Sequence, residues 1–441
     1  MTVKILPWWI TVFLLLIPNL VKGQDSSYLT LEKAVELSSV NNTSVQTAAI
    51  DERIAKTNRQ QTDAIFLPQV SIGYQAMFTN DPLNAFGFLL QQRQVTAADF
   101  DPNHLNEPGN AHNYVASLDF QMPLLNLDLV YARKGARLQE AVYEYQAKYT
   151  KDFVRYEVQK AYTQLQMAYH SRDILESTLR DVKKIYESVS HFYEQGLLHK
   201  SDVLNAQVQV NTIESALTKA SSNIVNASDG LRLLLGKEMD GQEEVYQTEP
   251  LHQRIRRPED KVFTTERADL QAMQKALEAS KMNQKSAAMA YVPSINAFGN
   301  YRFNDDQFFG FKEDGYLVGI SMKWNIFSGN KNRSKLRAAK LQQEKMQKDY
   351  NLYLSKSRIE VNKNRRDLAD LQQEITQQQT SVEQAAEALR IMTNRHREGL
   401  VSTTDLLLAQ AQLSQNRLAL AQAIMNYNIA GFYQDILTNN F

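Results

Sequence analysis

Four short segments of the chain alternate apolar and polar residues with a period of two, the pattern of β-strands whose faces differ. They span residues 70–78, 114–122, 294–303 and 316–324. One face of each segment is mostly apolar and aromatic, whereas the other is mostly polar, with Met77 and Phe298 among the exceptions. Strands of about 9 to 10 residues are long enough to cross a bilayer at a tilt. The alternation also fits a half-buried antiparallel sheet in a soluble protein.

Two long stretches contain neither proline nor glycine, the residues that most disfavour an α-helix. Glycine is absent from residues 136–195 and 330–398, and all ten prolines lie outside both stretches. Each stretch predicts a helix of about 65 residues, or about 100 Å at 1.5 Å per residue. We expect each helix to end at a glycine turn, at Gly196 and Gly399, followed by a helix of about half the length.

Heptad spacing predicts how these helices pack. The last helix carries two apolar stripes rather than one. The first stripe consists of Leu407, Ala411, Ser414, Leu418, Ala421, Met425, Asn428 and Phe432. The second, partial stripe consists of Leu406, Leu413, Leu420, Ile424 and Tyr427. A helix with two such stripes requires a neighbour on each side, as in a closed ring of helices. A two-helix hairpin with a few surface leucines is the simpler alternative.

The elements occur twice in the same order, which indicates an internal repeat. Residues 42–68 align with residues 267–293, and each segment ends in a proline before a strand. We therefore predict a first repeat at residues 24–236 and a second at residues 261–441. Each contains, in order, a helix, two strands, a long helix, a glycine turn and a helix. The polar residues 237–260 between them form a linker or a small separate layer.

The first 23 residues have the composition of a secretory signal peptide. Lys4 precedes an apolar run at residues 5–20. Residues 21–23, which are mostly small, then form the expected cleavage site, so that the mature chain would start near Gln24. An N-terminal membrane anchor is the alternative.

Composition narrows the function further. Lys+Arg and Asp+Glu each number 49 among 441 residues, and this zero net charge argues against nucleic acid as the main partner. A mean hydropathy of −0.44 excludes a polytopic helical membrane protein. The absence of cysteine excludes disulfides, thiolate metal sites and cysteine nucleophiles. Because no zinc-protease, phosphate-loop or hydrolase motif occurs, we expect no enzyme, no cofactor and no metal site.

If the four strands cross a membrane, one chain cannot form the pore alone. Four strands are too few to close a barrel, and open sheet edges are not tolerated in lipid. The strands would therefore be pooled between subunits, and three chains would supply twelve.

The sequence resembles the TolC family of outer-membrane efflux proteins, or outer membrane factors. This resemblance rests on the internal repeat, on the Leu67-Pro68 and Val292-Pro293 pairs that precede a strand, and on a Gly-x5-Asp-x-Leu-x-Ala turn motif that occurs twice. The resemblance implies a mainly α fold with a small β part: a homotrimer whose 12-stranded β-barrel in the outer membrane continues into an α-helical barrel in the periplasm. It implies a passive exit duct of a tripartite efflux or secretion system in a Gram-negative bacterium. The implied partners are a periplasmic adaptor, an inner-membrane transporter and outer-membrane lipid, and not nucleic acid.

The same resemblance assigns functions to the two glycine turns, which close the periplasmic end of the duct in the family. It implies that Asp202 and Asp405 narrow the lumen as a gate, although capping of the following helices is an alternative. His396 stands where the family has a latching tyrosine, so other partners such as Tyr193 would have to form the latch. The expected adaptor contacts are Gly196, Leu197, Gly399 and Leu400.

The hairpin at residues 80–113 is much longer than its counterpart at residues 304–315. Long loops belong on the outer face of membrane barrels. We hypothesise that this one folds over or into the mouth; a mobile loop in solvent is the alternative.

Two other classes of protein contain either long helical hairpins or membrane strands. A soluble periplasmic coiled-coil adaptor shares long helical hairpins but lacks four strands in two repeats. A free-standing diffusion porin has no use for the long helices.

Overall fold

The structure is a computed structural model that describes residues 27–238, 244–254 and 263–439. The predicted signal peptide lies outside the described residues, as do parts of the predicted linker. The chain divides into two compact units, and each unit draws on both predicted repeats. Unit 1 comprises the described residues of 1–46, 151–263 and 360–441, and unit 2 comprises residues 47–150 and 264–359.

Helices dominate the chain, and the strands are few. In chain order the elements are β1 Ser27–Tyr28, α1 Leu31–Asn41, α2 Thr43–Ala64, β2 Gln69–Thr79, α3 Pro82–Gln91, α4 Pro102–Asn106, β3 Ala111–Leu125, α5 Leu127–Glu194, α6 Lys200–Leu234, β4 Tyr246–Gln247, α7 Ala268–Met289, β5 Ser294–Asp305, β6 Glu313–Lys323, α8 Lys331–Arg397 and α9 Thr403–Leu437.

The two long helices are present where proline and glycine are missing. Helices α5 and α8 contain 68 and 67 residues, and α6 and α9 contain 35 each. Helix α5 begins earlier than the glycine-free stretch and includes Gly135. A Cβ atom at Gly135 would lie 3.1 Å from Oδ1 of Asn283 on α7, so glycine allows these helices to approach closely.

Both predicted stripes of α9 are used within unit 1. On one side, Leu407 packs with Val182 of α5 and with Ala206 and Val210 of α6. On another, Ala423 and Tyr427 pack with Ile375 of α8, supported by Leu368, Leu371, Leu420 and Ile424. The prediction that α9 has a neighbour on each side is therefore confirmed.

The largest apolar core of unit 1 surrounds Tyr162 of α5, which is 1% exposed. Its hydroxyl donates to the carbonyl of Leu29 at 2.9 Å and accepts from the amide of Glu249 at 3.2 Å. Burial raises the pKa of Tyr162 to about 12. Strand β4 pairs in parallel with β1 beside it. The described residues 244–254 of the predicted linker thus pack into unit 1.

Unit 2 contains one antiparallel four-stranded sheet in the order β2-β3-β5-β6. All four predicted strands are present, with ends that differ by a few residues. Strand β6 begins earlier than predicted, at Glu313, because this residue pairs with Asn304 although the alternation has not yet begun. Across the described ranges, no helix is both long and apolar enough to cross a membrane.

Candidate functional site

One face of the unit 2 sheet is a continuous apolar surface. The register aligns Ile72 with Leu118, Leu118 with Tyr301, and Tyr301 with Tyr316, so apolar side chains of neighbouring strands share this face. Several of these side chains are largely exposed: Ile72 is 84% exposed and Tyr316 is 75% exposed. Other large exposed residues of this face include Val70, Phe78, Leu118, Phe120, Tyr301, Val318, Ile320 and Met322. A contiguous apolar surface of this kind marks a contact with lipid or with another protein.

The opposite face of the sheet carries a hydrogen-bonded polar network. Asn300 donates to Asp119 at 2.6 Å, and Ser117 donates to the same carboxylate at 2.9 Å. Arg302 donates to Asn300 at 2.9 Å. Phe298, an exception to the predicted polarity, covers Gly319, where a Cβ atom would lie 2.9 Å from its ring. This face is suited to water rather than to lipid.

Aromatic residues border the apolar face at both ends of the sheet. At the end where the helices attach, Trp324 donates its indole N–H to the carbonyl of Tyr291 at 3.0 Å. At the hairpin end, Phe309 stacks on Tyr74 with ring centroids 4.9 Å apart. Tryptophan and tyrosine concentrate at membrane interfaces because their rings are apolar and carry one polar group. The two bands have the placement of aromatic girdles on a membrane barrel.

The sheet has two free edges within the described chain. Strand β2 pairs only with β3, and β6 pairs only with β5. Each edge strand contains 11 residues, so each presents a row of backbone groups that are not paired with a strand among the described residues.

The segment between β2 and β3 is folded. It begins with α3, which Asp81 caps by accepting from the amide of Asn84 at 3.0 Å. Helix α3 packs on β3, and its residues Ala85 and Phe88 are buried. The sequence predicts a long loop here, whereas the structure contains two short helices, of which the first begins at the recognisable helix start Asp81-Pro82.

A buried amide network joins this segment to the polar face of the sheet. Gln92 donates to the carbonyl of His112 at 2.8 Å and to the side chain of Asn113 at 3.0 Å. Asn113, fully buried, donates to Asn304 of β5 at 3.2 Å. Arg93 pairs with Glu313 of β6 at 3.2 Å. Sequence reasoning missed these residues, because nothing in their spacing links positions so far apart in the chain.

The two glycine turns of unit 1 have the same backbone hydrogen bonds. At the first, the amide of Gly196 donates to Tyr193 and that of Leu197 to Phe192, each at 2.9 Å. At the second, Gly399 donates to His396 at 3.0 Å and Leu400 to Arg395 at 2.9 Å. This is the Schellman motif, and the glycines adopt the left-handed φ values of +76° and +72° that it requires.

Each turn projects a leucine into solvent. Leu197 is 67% exposed and Leu400 is 66% exposed. Solvent exposure of an aliphatic side chain at the tip of each helical hairpin leaves both leucines available to a binding partner.

Asp202 and Asp405 occupy equivalent positions in the first turns of α6 and α9. The carboxylate of Asp202 accepts from the amide of His199 at 3.1 Å. The carboxylate of Asp405 accepts from the hydroxyl of Ser402 at 2.7 Å, and that hydroxyl accepts from the amide of Asp405 at 3.1 Å. The capping alternative therefore fits Asp202, which accepts a backbone amide at the start of α6. Helix α9 is capped by Ser402, and Asp405 accepts from the hydroxyl of that cap. Capping leaves the remaining carboxylate lone pairs available to cations.

Tyr193 and His396 stand at equivalent positions before the two glycines but in different surroundings. Tyr193 is 43% exposed, whereas His396 is 5% exposed. The His396 ring lies 6.1 Å from the Phe192 ring between centroids, and its Nε2 lies 3.3 Å from Oγ1 of Thr403. Burial lowers the pKa of His396, and the Asp202 carboxylate opposes part of that change.

Comparison with known proteins identifies the family. The profile of the family described as "Outer membrane efflux protein" matches residues 34–237 and 264–431. Cation efflux system protein CusC of Escherichia coli O157:H7 is 26% identical over 291 residues. That match covers 62% of this chain and only 60% of CusC, so the chain spans less than two thirds of this relative.

Solved structures share the fold over nearly the whole chain. A crystal structure of CusC superposes with a TM-score of 0.81 at 18% identity, covering 94% of this chain and 93% of CusC. The CmeC outer membrane channel of Campylobacter jejuni superposes with a TM-score of 0.79 at 16% identity, covering 93% and 85% of the two chains. The chain is a member of the outer membrane efflux protein family, the TolC family of outer membrane factors.

Proposed function

We propose that this protein is the outer-membrane exit duct of a tripartite efflux or secretion system. It would passively conduct substrates handed on by a periplasmic adaptor and an inner-membrane transporter, and it would have no enzymatic activity. The observation that carries the proposal is the unit 2 sheet, which combines an exposed apolar face, a polar face and two unpaired edges.

The free edges are the reason for a trimer. Backbone groups without partners are too costly in lipid, so only closed barrels of strands span membranes. A sheet of four strands cannot close on itself, whereas three copies joined edge to edge supply twelve. The apolar face would then contact outer-membrane lipid and the polar face would line a wet lumen.

The internal repeat also supports a proposed division of the rest of the chain. We place a first repeat at residues 24–236 and a second at residues 261–441, with residues 237–260 as an equatorial linker and residues 1–23 as the export signal. The exposed leucines and the glycines of the two turns, Gly196, Leu197, Gly399 and Leu400, would contact the periplasmic adaptor.

Asp202 and Asp405 would form the periplasmic gate together with the neighbouring Tyr193 and His396. In a trimer the two carboxylates of each chain become six, and a ring of like charges attracts cations. Substituting both aspartates by asparagine keeps a capping acceptor while it removes the charge. The gate and the cap can therefore be tested separately.

Conductance in planar bilayers tests the duct and the gate together. We expect the purified protein to open ion-conducting pores that prefer cations. Asp202→Asn with Asp405→Asn should lower that preference, while Asp229→Asn with Glu374→Gln should leave it unchanged. Absence of conductance, with the protein released from cells by osmotic shock, would favour the soluble periplasmic adaptor. An unchanged preference in the first double variant would remove only the gate.

The folded segment at residues 80–113 would narrow the mouth of the barrel, because it packs on the polar face of the sheet. Replacing residues 85–105 by a short flexible linker should raise the single-channel conductance. Thr96→Ala breaks only the local contact with Asp99 and serves as the control. Equal conductance of the shortened variant and the parent would show that the segment does not obstruct the mouth.

A further inference from the structure

The start of α8 carries an unusual concentration of positive charge. Five basic residues lie within residues 331–340, and no acidic residue separates them. They are Lys331, Arg333, Lys335, Arg337 and Lys340, and all five are exposed. Ten helical residues span only about 15 Å, so these charges repel one another.

None of these five side chains forms an ion pair with another described residue. They also stand at the positive end of the helix dipole, and the first turn of α8 contains no acidic residue. The corresponding start of α5 differs, because Asp128 lies in its first turn and Arg133 pairs with Asp63 of α2. The charge at the start of α8 therefore lacks the internal compensation that the equivalent helix has.

The residues that precede this basic cluster are exposed and apolar. Trp324, Ile326 and Phe327 lie between the end of β6 and the start of α8, and they are 55%, 80% and 82% exposed. They directly follow β6, which ends at Lys323. Aromatic anchors followed directly by basic side chains are the arrangement found where a protein leaves a membrane.

We propose that residues 331–340 bind the phosphate groups of anionic phospholipids at the helix-side rim of the sheet. This inference rests on the proposed insertion of the sheet in a membrane. Trp324, Ile326 and Phe327 would enter the acyl region, and the basic side chains would reach the headgroup phosphates. Free phosphate would not explain these apolar neighbours, so we assign the site to a lipid surface.

The number of basic residues sets how strongly the protein is expected to bind anionic lipid. Each basic residue close to an anionic lipid surface strengthens binding about fivefold at moderate salt. Removing three charges should therefore weaken binding on the order of 100-fold. Because the interaction is electrostatic, about 0.5 M salt should weaken it as well.

The test compares two triple variants of the full protein in detergent. Arg333→Gln, Lys335→Gln and Arg337→Gln remove charge from the proposed site. Lys363→Gln, Arg365→Gln and Arg366→Gln remove the same charge from exposed positions farther along α8. Native mass spectrometry would measure binding of phosphatidylglycerol and of phosphatidylethanolamine, and planar bilayers would measure conductance.

We expect the parent and the control to prefer phosphatidylglycerol, and the first variant to lose that preference while it still conducts. Equal binding of both lipids by the parent would overturn the inference, whereas loss of conductance in all proteins would instead contradict the proposed duct. The lipid-binding inference would also be overturned if the parent showed no lipid preference and only the first variant formed lipid-free oligomers of lower thermal stability. That result would assign the basic residues to contacts with a neighbouring copy.

Discussion

The two glycine turns share one backbone design but place equivalent side chains in opposite environments. Both turns are closed by the same pair of hydrogen bonds, and both are followed by an aspartate in the next helix. Yet Tyr193 is partly exposed, at 43%, whereas His396 is almost fully buried beside Phe192. The two repeats therefore share the backbone conformation of the turn, whereas the packing of neighbouring helices determines which side chains are buried.

This difference suggests distinct functions for the two turns in one chain. The second turn is held by contacts from the end of α5 and from the start of α9, so we infer that it is the more rigid of the two. The first turn offers an exposed tyrosine that is free to meet a neighbouring copy or a partner. Three predictions probe this contrast.

Truncation of the two equivalent side chains should give the largest difference. His396→Ala removes a buried ring and should lower the free energy of unfolding by about 1–3 kcal/mol. Tyr193→Ala should change it by no more than about 0.5 kcal/mol, because an exposed side chain has few contacts to lose. Denaturant unfolding of both variants measures the contrast. Equal losses would mean that the two turns are packed alike.

Removal of the caps should have a smaller effect. Ser402 both caps α9 and donates to Asp405, so Ser402→Ala should cost about 1 kcal/mol. At the first turn the equivalent residue, His199, contacts Asp202 through its backbone amide, which His199→Ala retains. We expect His199→Ala to lose less than half the unfolding free energy that Ser402→Ala loses. A larger loss for His199→Ala, measured by the same unfolding experiment, would contradict this assignment.

A dependence on pH should be the smallest of the three effects. Burial favours neutral His396, so the unfolded chain binds a proton at a higher pH than the folded chain does. The stabilising contribution is therefore complete above the unfolded pKa of about 6.5 and is lost as the pH falls through the lower folded pKa. The parent should lose more stability than His396→Asn between pH 7.5 and 5.5. Identical losses would show that the pKa of His396 does not differ between the folded and the unfolded chain.

Much of the fold follows from local patterns in the sequence. The long helices are identified by missing proline and glycine, because these residues act on the helix that contains them. The four strands are identified by alternation, because the sheet has one apolar and one polar face. The capping contacts of Asp202 and Asp405 are also local, and the aspartates lie only three residues from their partners.

Contacts between distant residues could not be obtained in the same way. The burial of His396 depends on Phe192 of another helix, and the network of Gln92, Asn113 and Asn304 joins three separate elements. A single sequence contains no signal that pairs such positions. The sequence contains the basic residues at the start of α8, but only the structure shows that they lack ion-pair partners among the described residues.

Cross-linking of the two free sheet edges would show whether neighbouring copies of the chain join to complete one barrel. The chain contains no cysteine, so introduced thiols react without background. Ser71→Cys on β2 would be combined in turn with Leu317→Cys, Ser321→Cys or Lys323→Cys on β6, and membranes would be treated with a short bifunctional thiol reagent. If subunits complete one another's barrel, at least one pair should yield a covalent trimer while each single variant yields none. If every pair yielded only monomers although both thiols reacted with a monofunctional reagent, the edges of neighbouring copies would not pair.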